Sequence, residues 1–282
     1  MTLKLNRLSE NFVAEVMNFQ IATDLTESTV KAIESAWLDN KVLLFRDQEV
    51  DEKTLVQFGR SFGELTSHVR ADFRSAEYPE VFKISNIKEN GAPVGALGNS
   101  EVSWHTDQIY QALPTYGTVI QAVIIPPVGG DTFFGDLATA YDRLPPRLHA
   151  LVEGRKATHS VDKVNRLLGL KMTPEQLAKT PPVTHPLVRR HPFLGRKALY
   201  FSMNHTIKIE GMTEDETDKL LLELEAHASS PEFIYQHKWR TGDVLIWDNT
   251  STMHRRGEFS QDSDRLMKRV DFQLPAELKT PF

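Results

Sequence analysis

Hydrophobic and polar positions alternate along this chain with two different periods. Over residues 26–38 the apolar positions Val30, Ile33, Trp37 and Leu38 fall on one face of a 3.6-residue repeat, so an amphipathic helix is predicted, with Thr26 as its N-cap. Leu55, Phe58 and Phe62 make a second stripe and predict a helix over 51–62. Between them the run 41–45, Lys-Val-Leu-Leu-Phe, is a continuous, mainly apolar strand stopped by Arg46-Asp47-Gln48. Residues 1–22 read as short extended pieces. Further strands are predicted over 81–84, 117–126, 132–134, 233–239, 244–247 and 268–274, and a hairpin joins 186–190 to 196–201.

A helix over 137–151 should break near Pro145-Pro146, where the ring removes a donor and fixes the backbone. Two capping boxes, Thr173-Pro-Glu-Gln176 and Thr213-Glu-Asp-Glu216, open further helices; the second runs to about His227 with Leu220, Leu221 and Leu224 inward. The pattern is mainly β with flanking helices. Residues 86–100 carry Gly91, Gly95 and Gly98 and predict a long loop, taken with its flank as a lid over 86–102, and 155–184 reads as an insertion. The candidate ligands come from both halves of the 282 residues, so a single domain spanning 1–282 is expected.

Composition narrows the chemistry. A net charge of -5 with no sustained basic run argues against nucleic acid as the main partner. The chain has no cysteine, which excludes disulfides, thiolate nucleophiles and iron–sulfur clusters, so a metal here must use His, Asp and Glu. No segment has the apolar length of a membrane span and the N-terminus lacks a signal-peptide core; a cytoplasmic enzyme is the expectation.

Within this frame Ser103-Trp104-His105-Thr106-Asp107 stands at the entrance to an apolar and β-branched run. Residues two apart leave the same face of a strand, so the His105 imidazole and the Asp107 carboxylate can converge on one point. A surface pair near a turn has the same three-letter look. The far end of the chain supplies context: a turn at Gly242-Asp243, a buried strand from Val244 to Trp247, then His254 on the next extended segment. Two imidazoles and one carboxylate form the facial triad that suits non-haem Fe(II) and leaves coordination positions open. Arg265 and Arg269 follow, four residues apart and so on one strand face. A guanidinium grips a carboxylate bidentately, as a diacid co-substrate chelating metal at its other end requires; ordinary surface charge is the alternative for both arginines.

The ordered set His105-Thr-Asp107, Gly129-Gly-Asp-Thr132, His185-Pro-Leu-Val-Arg-Arg-His191-Pro, Gly195-Arg-Lys-Ala-Leu-Tyr200, Ile209-Glu-Gly211, Trp247-Asp-Asn249, His254 and Arg265 resembles the taurine dioxygenase family, which includes the 2,4-dichlorophenoxyacetate dioxygenases. The likeness runs in order from Val42 to Phe272. It implies a double-stranded β-helix (jelly roll, cupin-like), Fe(II) on His105, Asp107 and His254, and 2-oxoglutarate whose remote carboxylate meets Thr132 and Arg265. The implied reaction consumes O2, releases succinate and CO2, and oxidises a small anionic organic substrate by hydroxylation, with cleavage, desaturation or cyclisation as possible outcomes. By the same likeness His68 and Arg269 fall where family members hold the substrate's anionic group. Glu101 stands where an amide is expected and His205 where a phenylalanine is expected; both are candidate substrate contacts, and both depart from the taurine enzymes.

Rival readings remain open at this point. A phenoxyalkanoate or alkylsulfate dioxygenase is the alternative within the class; a non-catalytic cupin-like metal-binding protein, or a zinc hydrolase with the same three ligands, would leave Arg265 without a role. A homo-oligomer, dimer or tetramer, is expected. His149 and His227 are read as solvated or packing residues and His185 and His191, before prolines at hairpin ends, as structural ones, and the sequence offers no partner for His159 or His237.

Overall fold

The computed structural model describes residues 3–68, 70–99, 102–167 and 172–274. At its centre lie the two sheets of the expected jelly roll. The nine-stranded sheet pairs, in order, Lys4–Arg7, Val13–Met17, Val42–Phe45, Val244–Asp248, Gly117–Ile124, Leu266–Gln273, Phe82–Ser85 and Ala96–Leu97, with Glu64–Thr66 also on Leu266–Gln273. The four-stranded sheet pairs Ile234–His237, Thr132–Asp136, Thr252–Arg256 and Val102–His105.

Strand alternation explains the layers. Leu43, Phe45, Val119, Val244, Ile246, Val270 and Phe272 leave one face of the large sheet and meet Ile33 and Trp37 of helix Glu27–Asn40 and Leu55 and Phe58 of helix Glu52–Arg60. Their neighbours Val42, Leu44, Ile120, Leu245, Trp247 and Met267 leave the other face and share a core with Phe134 of the small sheet. The outer side of the small sheet, through Met253 and Ile234, packs on Leu137–Asp142, Pro146–Val152 and Glu214–Ala228. Val42–Phe45 has no polar position because both its faces are covered, and each such side chain withdrawn from water contributes ~1.5–3 kcal/mol.

Local chemistry sets the element ends. Thr26, Thr173 and Thr213 each cap a helix and each makes the reciprocal box with Thr29, Gln176 and Glu216. The helix expected over 137–151 is divided before Pro146, as the paired prolines require. Two stretches are more regular than their composition suggests. In the expected lid, Lys88–Glu89 pairs with Ala92–Pro93 across Asn90 and Gly91, both at positive φ (51° and 81°), and Ala96–Leu97 joins Phe82–Ser85 in parallel. Asn-Gly suits a two-residue turn with both centres left-handed, so what reads as a loop builds a hairpin. The 155–184 stretch is framed by the paired strands Lys156–His159 and Val183–Pro186, with helices Val161–Leu167 and Pro174–Lys179 between them. Among the described residues no helix is long and apolar enough to cross a membrane.

One close approach fixes the register of the large sheet. Gly117 pairs with Phe272, and a Cβ on Gly117 would lie 2.1 Å from the Phe272 ring. Gly117→Ala is therefore expected to cost ~1–3 kcal/mol by overpacking, read as a lower urea midpoint at unchanged slope.

Candidate metal centre and its two pockets

Strand register builds the centre. His254 pairs with Phe134 on one side and with His105 on the other. Directly opposed residues on neighbouring strands share a face, and the two imidazole centroids lie 4.2 Å apart. Asp107, two residues beyond His105, turns its carboxylate to both: His105 Nε2 is 3.8 Å from Oδ1, and His254 Nε2 is 3.8 Å from Oδ2. One donor atom from each of the three lies within 4.8 Å of the others.

The surroundings hold these groups in ligating states. Burial lowers the pKa of both imidazoles, that of His254 to about 3 with help from His105, so both rings are neutral. His105 Nδ1 lies 2.8 Å from the Ser103 carbonyl, which accepts a hydrogen bond from Nδ1–H and so leaves the Nε2 lone pair facing the centre. Burial disfavours the Asp107 carboxylate, but the charge of Arg269 opposes it and keeps its pKa below the usual range.

Behind Asp107 sits a buried polar network that sequence reading missed. Arg269 donates from Nη1 to Asp107 Oδ1 at 2.9 Å, and from Nε and Nη2 to Asp271 at 2.9 and 2.8 Å. Gln108 donates to Asp271 Oδ2 at 2.8 Å. Thr118 Oγ1 lies 3.1 Å from Asp107 Oδ2 and 2.8 Å from Asp271 Oδ1, and accepts from Asn249 Nδ2 at 2.9 Å. Burial and the facing Asp107 raise the pKa of Asp271, and Arg269 opposes them. An Asp two residues from an Arg on a strand is the one sequence signal that pointed here, since such residues share a face.

Two hollows open from the centre. The smaller one is lined by His105, His254, Thr132, Arg256, Arg265 and Arg269 among apolar walls that include Ile120, Phe134, Trp239 and Trp247. Arg265 immediately precedes strand Leu266–Gln273 and is 3 % exposed. Among the described residues it makes no ion pair and its Nε has no hydrogen-bond partner. Burial, then the neighbouring Arg256, pull its pKa down to about 9. Thr132 accepts a hydrogen bond from Trp239 Nε1 at 3.0 Å.

The larger cavity, of about 690 Å³, opens on the other side of His105 and Asp107 and takes in His68, Arg70, Tyr110, His205 and Arg269, with the helices of the 155–184 stretch along one wall. His68 stacks on Phe82 with ring centroids 3.9 Å apart and accepts from the Arg70 backbone N–H at Nδ1. Burial and Arg269 lower its pKa to about 3. His205 stacks on Tyr110 at 5.1 Å and meets Ser202 through Nδ1; burial, then His105, lower its pKa to about 3 as well.

The structure thus brings eight of the expected site residues to the triad or its hollows. Arg269 is the one whose partners differ from expectation: its guanidinium is engaged by Asp271 and Asp107. Arg265 lies in the smaller pocket with Thr132, while His68 and His205 lie in the larger cavity. Glu101 lies outside the described residues. Trp247 walls the smaller pocket, whereas Trp104 packs toward the outer helices. His159 and His237, left unpartnered by the sequence, bond Thr206 and Asp243.

The profile of the taurine catabolism dioxygenase TauD, TfdA family matches residues 4–270. The chain belongs to that family. Among its relatives the alpha-ketoglutarate-dependent 2,4-dichlorophenoxyacetate dioxygenase of Cupriavidus pinatubonensis is 34% identical over 282 residues, covering 96% of this chain and 97% of that one. The alpha-ketoglutarate-dependent sulfate ester dioxygenase of Pseudomonas putida is 30% identical over 267 residues, covering 91% and 85%. In the crystal structure of AAD-2 with Mn(II) and N-oxalylglycine the fold superimposes with a TM-score of 0.84 at 32% identity over 98% of each chain. A taurine dioxygenase from Burkholderia xenovorans gives 0.81 at 32% identity, covering 98% of this chain and 90% of that one. This TauD/TfdA protein is an enzyme, an alpha-ketoglutarate-dependent dioxygenase that works with a metal.

Proposed function

We propose that this dioxygenase uses Fe(II) held by His105, Asp107 and His254, takes 2-oxoglutarate into the smaller pocket, and hydroxylates a small organic anion in the larger cavity. The observation that carries the reading is Arg265: a buried guanidinium with no counter-ion among the described residues is costly, and here it faces a pocket that is also lined by His105 and His254 of the triad. An acid with one end on the metal and a second carboxylate on Arg265 would satisfy both. Two neutral imidazoles and a carboxylate are the donor set that suits iron and leaves sites open. Once bound, Fe(II), 2-oxoglutarate and O2 supply the oxidation, with succinate and CO2 as products.

The protein's own side chains do the rest. Ser103 fixes the His105 tautomer, and Arg269 with Thr118 fixes the Asp107 carboxylate. Ile120, Phe134, Trp239 and Trp247 keep water from the co-substrate. Thr132 stands beside Arg265 to meet the remote carboxylate. In the cavity, His68 accepts a hydrogen bond at Nδ1 from the Arg70 N–H, so its own proton sits on Nε2 and can be donated in a hydrogen bond to an anionic oxygen. Because Arg269 is engaged by two carboxylates, its help to a substrate anion is shared with Asp107 and Asp271.

The cavity volume and the relatives' substrates favour an aryloxyalkanoate or a sulfate ester over a compact aminosulfonate. The same reading takes 1–282 as one domain of a cytoplasmic dimer or tetramer, since the proposed ligands come from both halves of the chain. The test is succinate release with Fe(II) and 2-oxoglutarate across a panel of aryloxyalkanoates, sulfate esters and sulfonates. Succinate formed in step with one oxidised anion is expected. A protein inert to the whole panel would sink the substrate assignment, and one that also leaves 2-oxoglutarate untouched would sink the iron and pocket assignments.

A further inference from the structure

Two side chains on the wall of the larger cavity carry polar groups that the rest of the chain does not engage. Tyr110 lies on the turn that begins at Asp107. In that turn Gln108 takes a φ of +49°, its side chain is tied to Asp271, and its carbonyl accepts from the Gln111 N–H at 2.9 Å. His205 is held through its backbone: its N–H donates to the Ser202 carbonyl at 3.2 Å, and its carbonyl accepts from the Ser160 N–H at 2.8 Å. The two rings placed in this way stack at an interplanar angle of 29°. Among the described residues the Tyr110 hydroxyl has no hydrogen-bond partner, and burial, which pushes its pKa up to about 12, keeps it protonated. The Ser202 hydroxyl is 1% exposed, and its partner among the described residues is His205 Nδ1 at 3.0 Å. A buried hydroxyl proton there goes unpaired unless it is given to Nδ1, which puts the imidazole's own proton on Nε2. Nε2 has no partner among the described residues, and its ring borders the cavity. The stack therefore offers two neutral donors, one O–H and one N–H. His68 belongs to a separate stack, on Phe82.

We propose that Tyr110 and His205 form a specificity-determining pair for an uncharged oxygen, so that the substrate is an organic anion with an ether or ester oxygen within an atom or two of its acid group. The inference rests on the reading of the larger cavity as the substrate's, and narrows it. The charges of Arg269, Arg70 and Arg74 act at His68 and draw the acid group there, which leaves the neutral pair for an uncharged part of the same molecule. An ether or ester oxygen carries lone pairs and no proton, so it suits two donors. A methylene in its place would leave an O–H and an N–H covered by the ligand and unpaired, and each then loses its water with nothing returned. Because both rings are anchored before the ligand arrives, little ordering is needed to form the two bonds.

The experiment uses the full chain with Mn(II) and 2-oxoglutarate and without oxygen, so that calorimetry reads binding apart from turnover. Two matched pairs of anions differ by an oxygen in place of a methylene: phenoxyacetate against hydrocinnamate, and hexyl sulfate against heptanesulfonate. In the wild type the oxygen member of at least one pair should bind at least about tenfold tighter than its partner. Tyr110→Phe and His205→Phe should each cut that preference at least about threefold, and the double variant should bind both members alike. Tyr110→Phe takes away an atom that bonds to none of the described residues, so it should fold as the wild type does. A wild type that binds the two members of both pairs alike overturns the proposal, as does a double variant that keeps the preference. Variants that lose affinity for both members equally also overturn it, since the pair would then hold the acid group itself. A wild type that binds 2-oxoglutarate but none of the four anions overturns instead the reading of the cavity as a site for such substrates.

Discussion

Asp107→Ala is expected to reduce iron-dependent 2-oxoglutarate turnover to background. Asp107 is the one anionic member of the triad, and both imidazoles are held neutral, so the substitution removes all the negative charge the protein offers a divalent ion at that point. Loss of a group that merely orients a ligand costs metal sites about 10–100-fold in affinity, and loss of a ligand itself should exceed that. The fold should survive, because Arg269 keeps its hydrogen bonds to Asp271 and Gln108 still donates to the same carboxylate. The check is paired: succinate release with added Fe(II), and calorimetric Mn(II) binding to the variant. Normal turnover in a variant that folds would place the metal elsewhere. Lost turnover with wild-type Mn(II) affinity would make Asp107 a catalytic group but not a ligand.

How much of this was legible in advance depends on the range of the interaction concerned. Helix starts at Thr26, Thr173 and Thr213 are written in three or four consecutive residues, and the structure places caps at all three. The triad was legible for a related reason, since His105 and Asp107 are local and His254 follows a recognisable buried strand. What brings His254 beside His105, however, is a register between distant strands, and periodicity alone does not give a register. The network on Arg269 was hidden for the same reason. Gln108, Thr118 and Asn249 are unremarkable polar residues until strand Gly117–Ile124 and the turns after Val102–His105 and Val244–Asp248 place them around two carboxylates. Asp271 was visible beside Arg269, but the anion expected for that arginine was a substrate, and a buried carboxylate of the chain takes the role. The hairpin at Asn90-Gly91 was misread because glycine richness signals turns and loops alike, and the flanking strands are only two residues long.

The contrast between Arg265 and Arg269 gives the second large effect, and it has opposite signs in two measurements. Arg265 is buried with no carboxylate partner among the described residues, and its pKa is drawn down to about 9 by burial and by Arg256, so in the absence of co-substrate its charge is a cost to the fold. Arg265→Met should therefore leave the unliganded protein as stable as the wild type, or more so, in thermal unfolding. The same change should raise the KM for 2-oxoglutarate on the order of a hundredfold, since removing one partner of a buried, hydrogen-bonded charge pair costs about 2–5 kcal/mol. A ligand that stabilises the folded state through Arg265 should also lose its concentration-dependent rise in Tm in the variant. Arg269→Met makes the control, because it leaves Asp107 and Asp271 facing one another without their cation and should destabilise the unliganded protein by about 3–5 kcal/mol. If Arg265→Met instead unfolds the apo protein and leaves the KM unchanged, Arg265 is a structural cation and the diacid's far end is held by another group on the same pocket.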